Sequence, residues 1–167
     1  MNRILAAISA ATLLAGVAHT QDGVMGPSRA TVSVAESEAY GTHLVNEGGV
    51  PLFLFVVEDE AEAASGPMTR GVRERAGSCT GGCREAWWPL TADGVEATEG
   101  VDGDRLYVAD GDVRTHVLYD GWPLYEPAPG SEFADAPYSA HGLEAHGGRW
   151  YLVASGGGPV RSDTAER

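Results

Sequence analysis

The sequence predicts a mostly β fold: a small sandwich or partly open barrel built from two related β-rich repeats. Three observations predict it. The pattern Gly-x-Pro-Leu-aromatic occurs twice, as Gly49-Val50-Pro51-Leu52-Phe53 and as Gly121-Trp122-Pro123-Leu124-Tyr125. Around both copies, short apolar runs are broken by Gly- and Asp-containing turns, the pattern of strands rather than helices. Between the copies lies Cys79-Thr80-Gly81-Gly82-Cys83-Arg84-Glu85-Ala86-Trp87-Trp88-Pro89-Leu90, with both cysteines and two of the four tryptophans; a short helical turn is expected there.

Taken in order, residues 1–18 read as a secretory signal. Asn2-Arg3 is a basic start, Ile4 to Ala15 an apolar run too short to anchor in a bilayer, and Gly16-Val17-Ala18 a small-residue cleavage site. Val17 stands where a lipoprotein signal would place its lipidated cysteine. The expectation is a periplasmic or secreted protein, not lipid-anchored and not membrane-inserted after cleavage. Residues 19–30 are polar with Gly and Pro, a flexible arm.

One β-rich domain is expected over 31–155. Thr31 to Val34 alternates as a first strand, and Tyr40 to Val45 and Val50 to Val57 form a hairpin about Asn46-Glu47-Gly48-Gly49. Glu58 to Ala64 is acidic and Ala-rich, one or two helical turns, and Ser65 to Ser78 a surface loop. Thr91 to Gly103 is turn-rich. Leu106 to Val108 and Val113 to Tyr119 form a second hairpin about Ala109-Asp110-Gly111-Asp112. Gly121 to Tyr125 begins another strand. Pro127, Pro129 and Pro137 make Glu126 to Ala140 an irregular loop. Arg149 to Val153 is the last strand, and 156–167 a disordered tail. Thr42 to Phe53 aligns with Thr115 to Tyr125 with one residue dropped in the turn, so the repeat halves run from about 40 to 90 and 106 to 154.

The formal net charge is −13, from 24 acids against 11 arginines and no lysine. So acidic a chain repels nucleic-acid phosphates and anionic headgroups, which sets both aside as partners.

Cys79 and Cys83 in an oxidising compartment are expected to form a structural disulfide. A helical turn brings positions four apart within bridging range, and Gly81-Gly82 lets the backbone adjust. So short a loop gains about 2 kcal/mol at most, and its use would be to aim Trp87 or Trp88 into the core. The competing reading is a copper site, since thiolates select Cu(I). Its spacing is similar to that of periplasmic copper chaperones of the thioredoxin fold, whose βα alternation this chain lacks.

The histidines are His19, His43, His116, His141 and His146. His43 and His116 hold equivalent repeat positions and would face each other across a pseudo-twofold axis. His19, at the new N-terminus, would offer amine and imidazole to Cu(II). These five with Cys79 and Cys83 form the alternative metal set. No nucleophile elbow, phosphate loop or calcium loop is present, so no catalytic residue and no enzyme is expected. Asp102, Asp104, Asp110 and Asp112 read as solvated turn acids. Tyr107, Tyr119, Trp122, Tyr125 and Trp150 read as core.

With repeat and cysteines together, the chain resembles the bacterial family described as "secreted repeat of unknown function". The resemblance rests on Gly-x-Pro-Leu-aromatic in each half, Cys-Thr-Gly-x-Cys followed by Trp-Pro, and the closing Gly-Gly-x-Trp-Tyr-Leu-Val, from about Tyr40 to Val153. Members are described as predicted lipoproteins with a Tyr-x-aromatic-x-x-Asp motif. Here the motif positions are Phe53 to Glu58 and Tyr125 to Gly130, and the segment between Phe55 and Cys79 is longer. The resemblance implies an exported structural or binding module with a protein or small-molecule partner and no known reaction. The alternative is a periplasmic copper-binding or electron-transfer accessory protein.

Overall fold

The computed structural model describes residues 28–57, 78–109 and 116–161. The expected signal, His19, the acidic segment 58–64, most of the loop after it, the Asp-Gly turn at 110–112 and residues 162–167 lie outside that set. The fold is mostly β, in three open sheets with the strand orders β2-β1-β5, β10-β11-β3-β9-β4 and β6-β7-β8.

In the first half, β1 (Arg29–Ser37) pairs antiparallel with β2 (Gly41–Asn46), and β3 (Phe53–Val57) follows. The expected turn is present: Asn46 Oδ1 accepts from the backbone N–H groups of Gly48 and Val50, and Val45 bridges Pro51. Then come the helical turn α1 (Cys83–Ala86), β4 (Trp87–Pro89) and β5 (Gly94–Ala97). In the second half, β6 (Leu106–Val108) pairs with β7 (Val117–Tyr119). Next are β8 (Trp122–Pro123) and β9 (Tyr125–Pro127), then β10 (Glu144–Ala145) and β11 (Gly148–Leu152). The turn from β7 to β8 is Asp120-Gly121, with φ of 50° and 79°; such mirror-image turns match the right-handed twist of the flanking strands.

Register shows how deep the repeat runs. Leu44 N–H donates to Val153 O (2.9 Å), Val153 N–H to Leu52 O (3.1 Å), and Leu52 N–H to Leu44 O (2.9 Å), closing a ring. In the other half, Val117 N–H donates to Leu90 O (2.9 Å), Leu90 N–H to Leu124 O (2.8 Å), and Leu124 N–H to Val117 O (2.9 Å). Leu44, Leu52 and Val153 thus correspond to Val117, Leu124 and Leu90. The same operation takes Phe53 to Tyr125, the two residues that face each other where β3 meets β9. It also takes Trp150, opposite Phe55, to Trp87, opposite Pro127. So β4 leaves the first repeat to complete the second half, and β11 returns to complete the first.

The central sheet is buried on both faces because its strands alternate apolar residues in both phases. Leu52 and Leu54 join Leu44, Val117, Tyr119, Leu124 and Val153 in one cluster. Phe53, Phe55 and Val57 join Cys79, Cys83, Trp87, Tyr125, Phe133 and Trp150 in the other. There the rings form a column: Phe55 on Trp150 (4.5 Å between centroids), Trp150 on Trp87 (4.0 Å), Trp87 on Phe133 (5.3 Å). Aromatic pairs of this kind add about 0.5–1.5 kcal/mol each beyond the area they bury.

Several boundaries differ from the sequence reading. β1 begins at Arg29, inside the expected arm, because Arg29 to Val32 pair in parallel with Gly94 to Ala97. That pairing also puts β5 in the segment read as turns. At the other end the packed chain runs past residue 155: Val160 is buried and its N–H donates to Leu152 O, so the tail expected from 156 is ordered to that point. The loop after β9 holds one 3-10 turn, Pro137–Ala140, and β10 forms a hairpin with β11.

Candidate functional site

Cys79 and Cys83 are joined in a disulfide with their Cα atoms 5.3 Å apart, and both are buried. A sulfur in a disulfide is no thiolate, so this pair offers no soft-metal ligand. Its work is local. It closes the turn before α1, Cys79 N–H donates to Tyr125 Oη (3.2 Å), and four residues after Cys83 the fully buried Trp87 enters the column. Trp88, the next residue, points outward and is 49 % exposed.

The histidines separate. His43 lies in β2 with no exposed surface, the one buried polar side chain in the core among the described residues. Its Nδ1 is 2.9 Å from Gly41 O, which can only accept, so Nδ1 carries the proton in the neutral ring. Nε2 then accepts from Tyr138 Oη at 3.0 Å. Tyr138 is held at that distance by the Pro137–Ala140 turn, whose first residue has its φ preset by proline. His141 ends the turn and accepts the Leu152 N–H on Nδ1 (3.2 Å), which leaves its own proton on Nε2. Burial lowers the His141 pKa, and the nearby His43 lowers it further.

Three tyrosines complete the cluster. Tyr40, in the turn before β2, lies nearly parallel to Tyr138, with centroids 5.8 Å apart and planes 4° apart. His141 meets Tyr40 edge-on at 4.8 Å and Tyr151 of β11 at 5.7 Å. His43 meets Tyr138 at 5.4 Å and 86°. Tyr138 is 37 % exposed, and Tyr40, His141 and Tyr151 are half-buried. The result is an aromatic shelf, open to water on Tyr138 and footed on a buried, hydrogen-bonded imidazole.

His116 holds the position equivalent to His43: it bridges Thr91, as His43 bridges Ala154. The two rings do not pair across the axis. His116 packs edge-on to Tyr125 at 5.2 Å, and its Nε2, out of water, has no hydrogen-bond partner among the described residues. Burial brings its pKa down to about 4; a backbone hydrogen bond at Leu124 opposes the shift and the charge of Arg84 adds to it. His146 is exposed at the β10–β11 turn, with φ of 57°. Among the described residues no three His, Cys, Asp or Glu side chains gather as a metal site. Asp102 caps the Gly103–Arg105 turn and pairs with Arg105 at 3.0 Å, while Asp110 and Asp112 lie outside the described residues.

Sequence reasoning singled out His43 and His141 but missed Tyr40, Tyr138 and Tyr151. The available signal was a tyrosine directly after Pro137 in a loop otherwise poor in large side chains. Comparisons with family models, curated proteins and solved structures yield no match for this chain.

Proposed function

We propose that this protein is an exported, non-enzymatic binding module of the secreted-repeat kind, and that the Tyr40–Tyr138–His43–His141–Tyr151 shelf is its binding surface. Tyr138 carries the reading. Of the two large apolar side chains exposed among the described residues, Trp88 and Tyr138, only Tyr138 is fixed by a hydrogen bond to a buried side chain. A ring held in water by a buried partner is pre-organised, so a ligand meets it at little entropic cost. The role of His43 in the shelf is to hold Tyr138, since its two ring nitrogens are both engaged and out of water. Export is supported by the signal pattern and by the disulfide, since such bonds persist in oxidising compartments.

A ligand screen read by NMR tests the site. Bound compounds are expected to shift the resonances of Tyr40, Tyr138 and His141 and to lose their effect in Tyr138→Ala. Shifts centred elsewhere, or unchanged in that variant, overturn the assignment. Export is checked by intact mass of the protein from the extracytoplasmic fraction: residues 1–18 should be missing and no lipid present.

A further inference from the structure

Resting on that reading of the shelf, we infer that its ligand is an organic cation, an alkylated ammonium group of the choline type. The argument is charge set against ring geometry. An aromatic ring offers a negative face, and several rings set at angles offer one to a cation from more than one side. Here Tyr40 and Tyr138 lie parallel, His141 stands edge-on to Tyr40 and to Tyr151, and these four rings reach water, while His43 lies buried beneath them. A neutral sugar or apolar ligand would use the same rings, so the rings alone do not decide.

The surrounding charge does. The chain carries a formal −13 with no lysine. The exposed Glu36 lies near the end of β1 and the exposed Glu38 shares the turn that holds Tyr40, and the exposed Glu132 and Asp135 precede Tyr138 in its loop. Of the arginines described, Arg149 near the cluster's strand is already held by Glu144 at 3.1 Å. Burial lowers the His141 pKa, which disfavours positive charge on the one imidazole of the cluster that reaches water. Exposed acids on both segments that supply the shelf's stacked tyrosines favour a soft, weakly hydrated cation above a neutral or anionic ligand.

The test is an NMR titration of the full chain with choline chloride, beside 3,3-dimethylbutan-1-ol, which has the same shape without the charge. Choline is expected to shift the Tyr40, Tyr138 and His141 resonances saturably, with the alcohol about tenfold weaker or worse, as cation–π attraction implies. Tyr138→Phe, which keeps the ring, should retain choline binding and Tyr138→Leu should lose it. Added sodium chloride should weaken it through screening. Equal binding of the alcohol overturns the inference, and so does the absence of any shift with choline. If other compounds in the ligand screen still bind in a Tyr138-dependent way, only the cation fails and the binding surface stands.

Discussion

The Tyr138 hydroxyl ties the loop after β9 to the buried face of β2, across 95 residues of sequence. Removing it in Tyr138→Phe leaves the ring but orphans His43 Nε2 inside the core. An unsatisfied buried acceptor costs about 1–3 kcal/mol, so urea denaturation of this variant should show a loss in that range. No loss would mean that the hydrogen bond is exchanged for water at no cost. His116 makes the opposite case, a buried base whose Nε2 meets no hydrogen-bond partner among the described residues. Its folded pKa, about 4, lies below the ordinary 6.5, so as pH falls the unfolded chain takes the proton first. Its contribution is therefore complete above pH 6.5 and is lost as pH falls from there to 4; a shift of that size corresponds to about 3 kcal/mol as a ceiling. His141 is shifted in the same direction. In His116→Leu, stability should fall less steeply across that interval than in the wild type. Identical pH profiles would refute the assignment.

Between residue and fold, the Cys79–Cys83 turn shows what a short disulfide does. Five residues close little loop entropy, so Cys79→Ser/Cys83→Ser should cost about 2 kcal/mol at most, with Trp87 remaining in its column. Mass analysis of the unreduced wild type should show no free thiol; two alkylatable thiols would return the copper reading. The strand after it is also protected at its outer edge: the Trp87 N–H caps α1 on Cys83 O, and Pro89 has no N–H to give. That leaves Trp88 exposed on an edge with no donors for a further strand. Elements of this kind were legible where chemistry is local. The Gly-Gly turn, the alternating β1 and the run Phe53 to Val57 all declare themselves. β5 does not, because Gly94-Val95-Glu96-Ala97 has only one β-branched residue and becomes a strand by parallel pairing with distant β1. The shelf was half legible for the same reason: its histidines attract notice by type, but Tyr40 meets Tyr138 only through the fold.

At the scale of the whole molecule, the exchange of β4 and β11 decides how the protein can come apart. Each half needs a strand from the other repeat to close its hydrogen-bonded ring, Val153 in one and Leu90 in the other. Trp87 and Trp150, carried by those two strands, stack at 4.0 Å, so the column is shared by both halves. Neither repeat can lose its sheet while the other keeps its own, and unfolding should be one transition. Leu52 and Leu124 stand at equivalent positions in the two rings, both without exposed surface and both in the same cluster. Leu52→Ala and Leu124→Ala should each cost about 2–5 kcal/mol, the usual range for an emptied core leucine. The two variants should also agree in a further respect. Tryptophan fluorescence and far-UV circular dichroism should give coincident denaturation curves in each, although the mutations lie in different repeats. Probes that separate in either variant would show that one half survives without its exchanged strand. Near-zero loss at one leucine would show that the two repeats do not share the load that their matching hydrogen bonds imply.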